Sequence, residues 1–226
     1  MNQAERIHLF DNWARNYDAS LASSNADFPF DGYEQILDRV VSLAEVKPAM
    51  HILELGVGTG NLARRFMEKG CEVCGVDFST EMLAQTRAKL PQMQLVQADL
   101  FGNWPLELER PYERVVSAYV FHEFELKAKI KLLQRLASRY ISHARRIIIA
   151  DISFPTVAIR VQASERWAEN WDKDEYYWAA DESMAALERT GLQAHYEQIS
   201  SCGGIYILQP GTRADTVRRE MRGSRG

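Results

Sequence analysis

The segment best suited to holding a ligand is Glu54-Leu55-Gly56-Val57-Gly58-Thr59-Gly60. Glycines so spaced let backbone approach a bound group closely, permit a sharp turn, and leave the first amides of a following helix free to donate. A dinucleotide loop of the form G-x-G-x-x-G would carry a third glycine where Asn61 stands. Glu54, two residues before Gly56, would repel a pyrophosphate and attract a cation. A plain glycine turn is the alternative. Asp77 ends the apolar run Val73 to Val76, 21 residues after Gly56, where an acid can accept both hydroxyls of a ribose. Asp99 follows Leu95-Val96-Gln97-Ala98, where a carboxylate can accept from an exocyclic adenine amine. Either acid could instead cap a helix. Three acids at the ends of three consecutive apolar runs favour a nucleoside site.

Those runs imply the elements that carry the acids. His51 to Leu55, Glu72 to Val76, Gln94 to Gln97, Arg114 to Tyr119 and Arg146 to Asp151 read as strands, separated by helical stretches at Asn61 to Lys69, Ser79 to Lys89 and Glu125 to Ser142. The uninterrupted Ile147-Ile148-Ile149 suits a strand buried on both faces of a parallel sheet. Helical material between Val157 and Thr190 falls into two pieces, and Gln193 to Ile199 with Gly204 to Leu208 read as an antiparallel hairpin. Ahead of this core, Ile7, Phe10, Ala14 and Tyr17 recur at helical spacing, Ser20 to Asp27 is a loop, and Tyr33 to Glu45 is a second helix ended by Pro48. The fold class is therefore α/β, a Rossmann-like, doubly wound seven-stranded sheet with a terminal hairpin. A single domain spans 1–210, with a helical cap at 1–47 and a core at 48–210. Residues 211–226 form a basic, flexible tail. Ligands of such sheets sit outside the carboxyl ends of the strands.

Composition bounds the rest. With 226 residues, 46% hydrophobic and 26% charged, the chain has the make-up of an ordinary globular protein. Its formal charge of -4 offers no overall attraction to nucleic acid, and no apolar run is long enough to span a membrane. The three cysteines, Cys71, Cys74 and Cys202, suit a reducing cytoplasm. Cys71 and Cys74 have redox or half-zinc spacing but no second pair nearby, so they read as packing residues and no metal is expected. Trp167, Trp171 and Trp178, with Tyr176 and Tyr177, form a stripe that ordinarily means core. Because it follows the fifth strand, Trp167 and Trp171 could equally wall a substrate pocket.

E-L-G-V-G-T-G, followed by G-V-D-F-S and Q-A-D-L, resembles the class I S-adenosylmethionine-dependent methyltransferases. The opening Phe10-Asp11-x-Trp13-Ala14-x-x-Tyr17-Asp18 is similar to small-molecule members, particularly a poorly characterised bacterial branch. The resemblance spans about residues 8 to 208. It implies S-adenosyl-L-methionine as cofactor, with Gly56, Gly58 and their backbone against its methionine part and Glu54 near its ammonium. It also implies Asp77 on the ribose, Asp99 on the adenine amine, the Leu100 amide near a ring nitrogen, and Phe78 as an apolar face. Ser117 to Tyr119 would line the sulfonium side, Tyr17 would close over the amino-acid end, and Tyr119 would reach the acceptor.

Methyl transfer is an in-line displacement that mainly requires alignment. Where the acceptor must lose a proton, His122, just beyond the fourth strand, is the best-placed base, with a capping or satisfied buried histidine as the alternative. The expected function is methylation of a small molecule, with no nucleic-acid or membrane partner and no oligomeric state set by the sequence. No Asn-Pro-Pro-Tyr or Asp-Pro-Pro-Tyr follows the fourth strand, as it does in amino-methylating nucleic-acid and protein enzymes. The competing readings are a cofactor-binding scaffold without turnover, an RNA or protein methyltransferase, and a nicotinamide-dependent dehydrogenase.

Overall fold

A computed structural model describes residues 27–210. The expected first helix, Tyr17 and the basic tail lie outside the described residues. The chain runs α1 (Tyr33–Ala44), β1 (His51–Leu55), α2 (Asn61–Glu68), β2 (Glu72–Asp77), α3 (Thr80–Lys89), β3 (Gln94–Gln97) and β4 (Tyr112–Ala118). It continues through α4 (Leu126–Arg139), β5 (Ile141–Phe154), α5 (Val157–Arg166), β6 (Trp178–Ala179), α6 (Ala180–Glu188), β7 (Leu192–Gln198) and β8 (Gly203–Pro210). Short 3-10 turns at Leu106–Leu108 and Phe121–Glu123 flank β4.

Local chemistry sets the element ends. The α1 helix buries Ile36, Leu37, Val40, Val41 and Ala44 on one stripe and stops where Glu45 turns left-handed. Ser79 caps α3, its hydroxyl accepting the Met82 amide at 3.1 Å, and Thr156 caps α5 through the Ile159 amide at 3.2 Å. The strand order is β3-β2-β1-β4-β5-β8-β7, with β6 paired to β5 alone. Strands β1 to β5 are mutually parallel, and β8 lies antiparallel between β5 and β7. The order turns back on itself between β1 and β4, which defines the switch point where a doubly wound sheet opens its binding crevice.

Alternation within strands feeds two cores. Ile52, Val116, Ile148 and Ile152 pack with Ile36, Leu37, Val40 and Phe66 from α1 and α2. Leu53, Leu55, Ile147 and Ile149 pack with Leu132, Leu133 and Leu136 from α4 and Leu187 from α6. All three residues of the isoleucine run are fully buried, as a two-faced parallel strand requires. The seven expected strands form the continuous path of the sheet, and one short strand joins them off that path, paired to β5. In the stretch read as helical, Trp178–Ala179 is extended and pairs with Ser153 and Phe154, a two-residue strand too short for any periodicity to reveal. The α1 helix packs on the sheet face over β5 and β8, while its first residue, Tyr33, reaches toward the crevice and packs at a tilt on Tyr119.

Candidate active site

At the switch point, β1 ends in the glycine loop and β4 in Ser117-Ala118-Tyr119-Val120. Gly56 has φ +65°, and a Cβ placed there would lie 2.3 Å from Val120 Cγ2, so only glycine lets the two strand ends close. Gly58, at φ +53°, faces open space with no atom within 4 Å. Tyr119 is a bulky residue held at φ +57°, a conformation that concentrates at functional sites. Its amide donates to Ala150 at 2.9 Å and its ring packs on Phe30 and Tyr33. The Ser117 hydroxyl donates to Leu55 at 2.8 Å, so this side chain clamps β4 to β1 and leaves only its backbone for a ligand.

The three acids stand along one rim. Glu54 is 2% exposed, and its Oε2 has no hydrogen-bond partner. Burial, with the Asp77 charge adding, pushes its carboxyl well above the usual range. A buried oxygen without a donor is the feature a ligand ammonium would answer, and the residues present therefore fit the family's cofactor. Asp77 accepts the Gly58 amide on Oδ2 and the Ser79 amide on Oδ1, both at 2.9 Å, pinning the glycine loop to the end of β2. Ser79, not Asp77, caps the helix that follows. Asp99 accepts the Phe101 amide at 2.8 Å in an exposed turn with no helix behind it. Leu100 is buried beside it, and Phe78 is half-buried.

Beyond β4, the Phe121–Glu123 turn holds His122, 8% exposed, with Nδ1 2.6 Å from Asp151 Oδ1. Asp151 is fully buried at the end of β5's isoleucine run and also accepts from Trp178 Nε1 and the Ile152 amide, both at 2.9 Å. Burial alone would lower the His122 pKa, but attraction to and hydrogen bonding with Asp151, helped by Glu175 and Glu123, lift it to about 9. The shift favours the protonated, donating ring. Burial pulls Lys129, 2% exposed, down to about 7 against the attraction of Asp151. Its ammonium donates to the Tyr176 carbonyl and lies 4.2 Å from the Trp178 ring centre.

The tryptophans divide. Trp167 stacks on Phe28 and donates to Asp27 at 3.1 Å, which makes it packing for the chain entering α1. Trp171 stacks on the other side of that cluster and meets Tyr177 edge-on at 4.5 Å. It also lines a cavity of about 340 Å³ with Lys129, Glu175, Tyr177 and Trp178. Trp178 belongs to the opposite core. Cys71, Cys74 and Cys202 are buried free thiols. Asp151, Glu175 and Lys129 were not singled out by sequence. Asp151 carried the same signal as Asp77, an acid ending an apolar strand.

A switch-point crevice with a glycine loop and acids after successive strands defines the class I methyltransferase architecture. The chain belongs to the S-adenosylmethionine-dependent methyltransferases: a methyltransferase-domain family profile matches residues 52–140, and bacterial relatives bear the same description. It is 34% identical over 152 residues to an uncharacterized methyltransferase of Anoxybacillus flavithermus, covering 66% of this chain and 68% of that one. It is 29% identical over 217 residues to the uncharacterized methyltransferase YrrT of Halobacillus halophilus, covering 92% and 98%. Among solved structures, the DhpI complex with S-adenosylhomocysteine superposes with a TM-score of 0.71 at 17% identity, covering 92% of this chain and 96% of that chain.

Proposed function

We propose that this methyltransferase acts on a small-molecule acceptor held beside the carboxyl ends of β4 and β5. The observation that carries this reading is the cavity of about 340 Å³ walled by Trp171, Tyr177 and Trp178, with Lys129 and Glu175 as its polar points. Its volume suits a metabolite, and Arg160 and Glu182 join Lys129 and Glu175 in its lining, so aromatic walls and charged groups of both signs suit a polar acceptor. S-adenosylmethionine supplies a methyl group made electrophilic by its sulfonium charge. Glu54 would hold the ammonium, Asp77 the ribose and Asp99 the adenine amine, with Phe78 and Leu100 flanking the base. Gly56 and Gly58 would keep the loop backbone close to the methionine part. The backbone from Ser117 to Tyr119 would line the sulfonium side, Tyr119 and Trp171 would flank the acceptor, and His122 would face it. The chain's task is then alignment and exclusion of water.

The same reading treats 1–210 as one catalytic domain, with Tyr17 and the rest of 1–47 as its cap, working in the cytoplasm. The test is release of S-adenosylhomocysteine across a metabolite panel, with RNA and protein acceptors as comparators. Turnover on a metabolite and none on polymers supports the proposal. Salt-sensitive RNA binding with methyl transfer to it would overturn the proposal.

A further inference from the structure

His122, Glu123 and Glu175 bring one ring nitrogen and two carboxylate oxygens to within 4.8 Å of one another. Glu175 Oε1 lies 3.7 Å and Glu123 Oε1 3.9 Å from His122 Nε2, too far for hydrogen bonds. Nε2 has no other partner among the described residues. The three side chains are 10%, 15% and 19% exposed, so the group is nearly enclosed. Glu175 has no lysine or arginine within ion-pair distance among the described residues. The other face of the ring is fixed by Asp151, itself held by Trp178 and the Ile152 amide. Asp151 already accepts from Trp178 Nε1 and the Ile152 amide, and its contact with the ring is made through Nδ1. Nε2 then faces the two glutamates.

We propose that His122, Glu123 and Glu175 form a binding site for one divalent transition-metal cation, with Asp151 as the residue that positions the histidine. A nitrogen and two carboxylate oxygens are a ligand set for zinc, manganese, iron or cobalt. Ligands about 2.1 Å from a common ion stand about 3.0–3.5 Å apart, so closing the site asks the two glutamates to draw together by small side-chain movements. A buried carboxylate on the far nitrogen is the usual support of a metal-bound histidine, because it fixes both tautomer and ring orientation. Glu175 also lines the cavity of about 340 Å³, which supplies an entry path and places any coordinated oxygen of a ligand inside that cavity.

The chelator-treated protein is titrated with Mn²⁺ and with Zn²⁺ by calorimetry, and with Co²⁺ by visible absorption. One saturable site per chain is expected. Glu175→Gln and His122→Gln should each weaken binding at least about tenfold, and Asp151→Asn by about 10–100-fold without changing stoichiometry. Circular dichroism and retained S-adenosylhomocysteine binding establish that a variant is folded; Glu175, on a connecting loop, is the substitution least able to disturb the core. Absence of saturable binding by all three ions overturns the proposal, as does full affinity in folded Glu175→Gln. The readout is independent of turnover, so a protein that methylates a metabolite yet binds no metal would refute this inference and leave the acceptor reading intact.

Discussion

Glu54 concentrates the electrostatic problem of the cofactor crevice in one side chain. Its carboxyl is buried, faces the Asp77 charge and has an oxygen without a donor, and burial and that charge both favour its protonated form in the free protein. A ligand ammonium would draw the pKa down and release the proton. Cofactor affinity should therefore rise with pH until Glu54 titrates in the free protein. Calorimetry in two buffers of different ionisation enthalpy should show release of up to one proton, absent in Glu54→Gln, which should also bind about 1–3 kcal/mol more weakly. Heat independent of buffer would remove Glu54 from the ammonium site. Asp99→Ala should cost a similar 1–3 kcal/mol in S-adenosylmethionine affinity, roughly the loss of one polar partner. The strand-end positions of Glu54, Asp77 and Asp99 were legible in the sequence because each is local, an acid beside or ending an apolar run. Asp151's partnership with His122 was not, because it exists only through the β4–β5 register that sets Ala118 against Ala150. Glu175 arrives from a further loop that no period marks.

At the scale of elements, the glycine loop does two separable jobs. Gly56→Ala adds a methyl 2.3 Å from Val120 at a left-handed φ, and should cost about 2–4 kcal/mol of stability, read from denaturant midpoints. Gly58→Ala meets no neighbour and should cost only about 1 kcal/mol for its backbone conformation. Its methyl would enter the open side of the loop, and cofactor affinity should drop about tenfold, or 1.4 kcal/mol. If both variants lost stability equally, the division would be wrong. The alternation of short apolar runs and amphipathic stretches made β1 to β5 readable in order, because buried parallel strands and their crossover helices differ in period. The aromatic stripe could not be resolved that way. Helical spacing groups Trp167, Trp171 and Trp178, yet the chain turns between them and sends Trp178 to the other side of the sheet.

For the whole molecule, Lys129 links protonation to folding. Its pKa falls from 10.5 to about 7 on burial, so between those values the unfolded chain binds more protons at this site and stability rises with pH. The urea midpoint should climb from about pH 7 to about pH 9, and Lys129→Met, which keeps the volume and drops the charge, should flatten that climb and be more stable near neutrality. Equal slopes in both proteins would show that the ammonium is not strained by burial. The position of β8 has a different consequence, one of timing. It lies between β5 and β7, and Ile147 pairs with Leu208 and Ile152 with Gly203, partners more than 50 residues apart. While the ribosome is still adding the last strand, β5 has an open hydrogen-bonding edge made largely of isoleucine. The half of the sheet from β3 to β4 can condense during synthesis, but the other half closes only after position 210 has emerged. A nascent chain stalled within β7 should therefore be captured by chaperones or aggregate, whereas one released a few residues past β8 should fold.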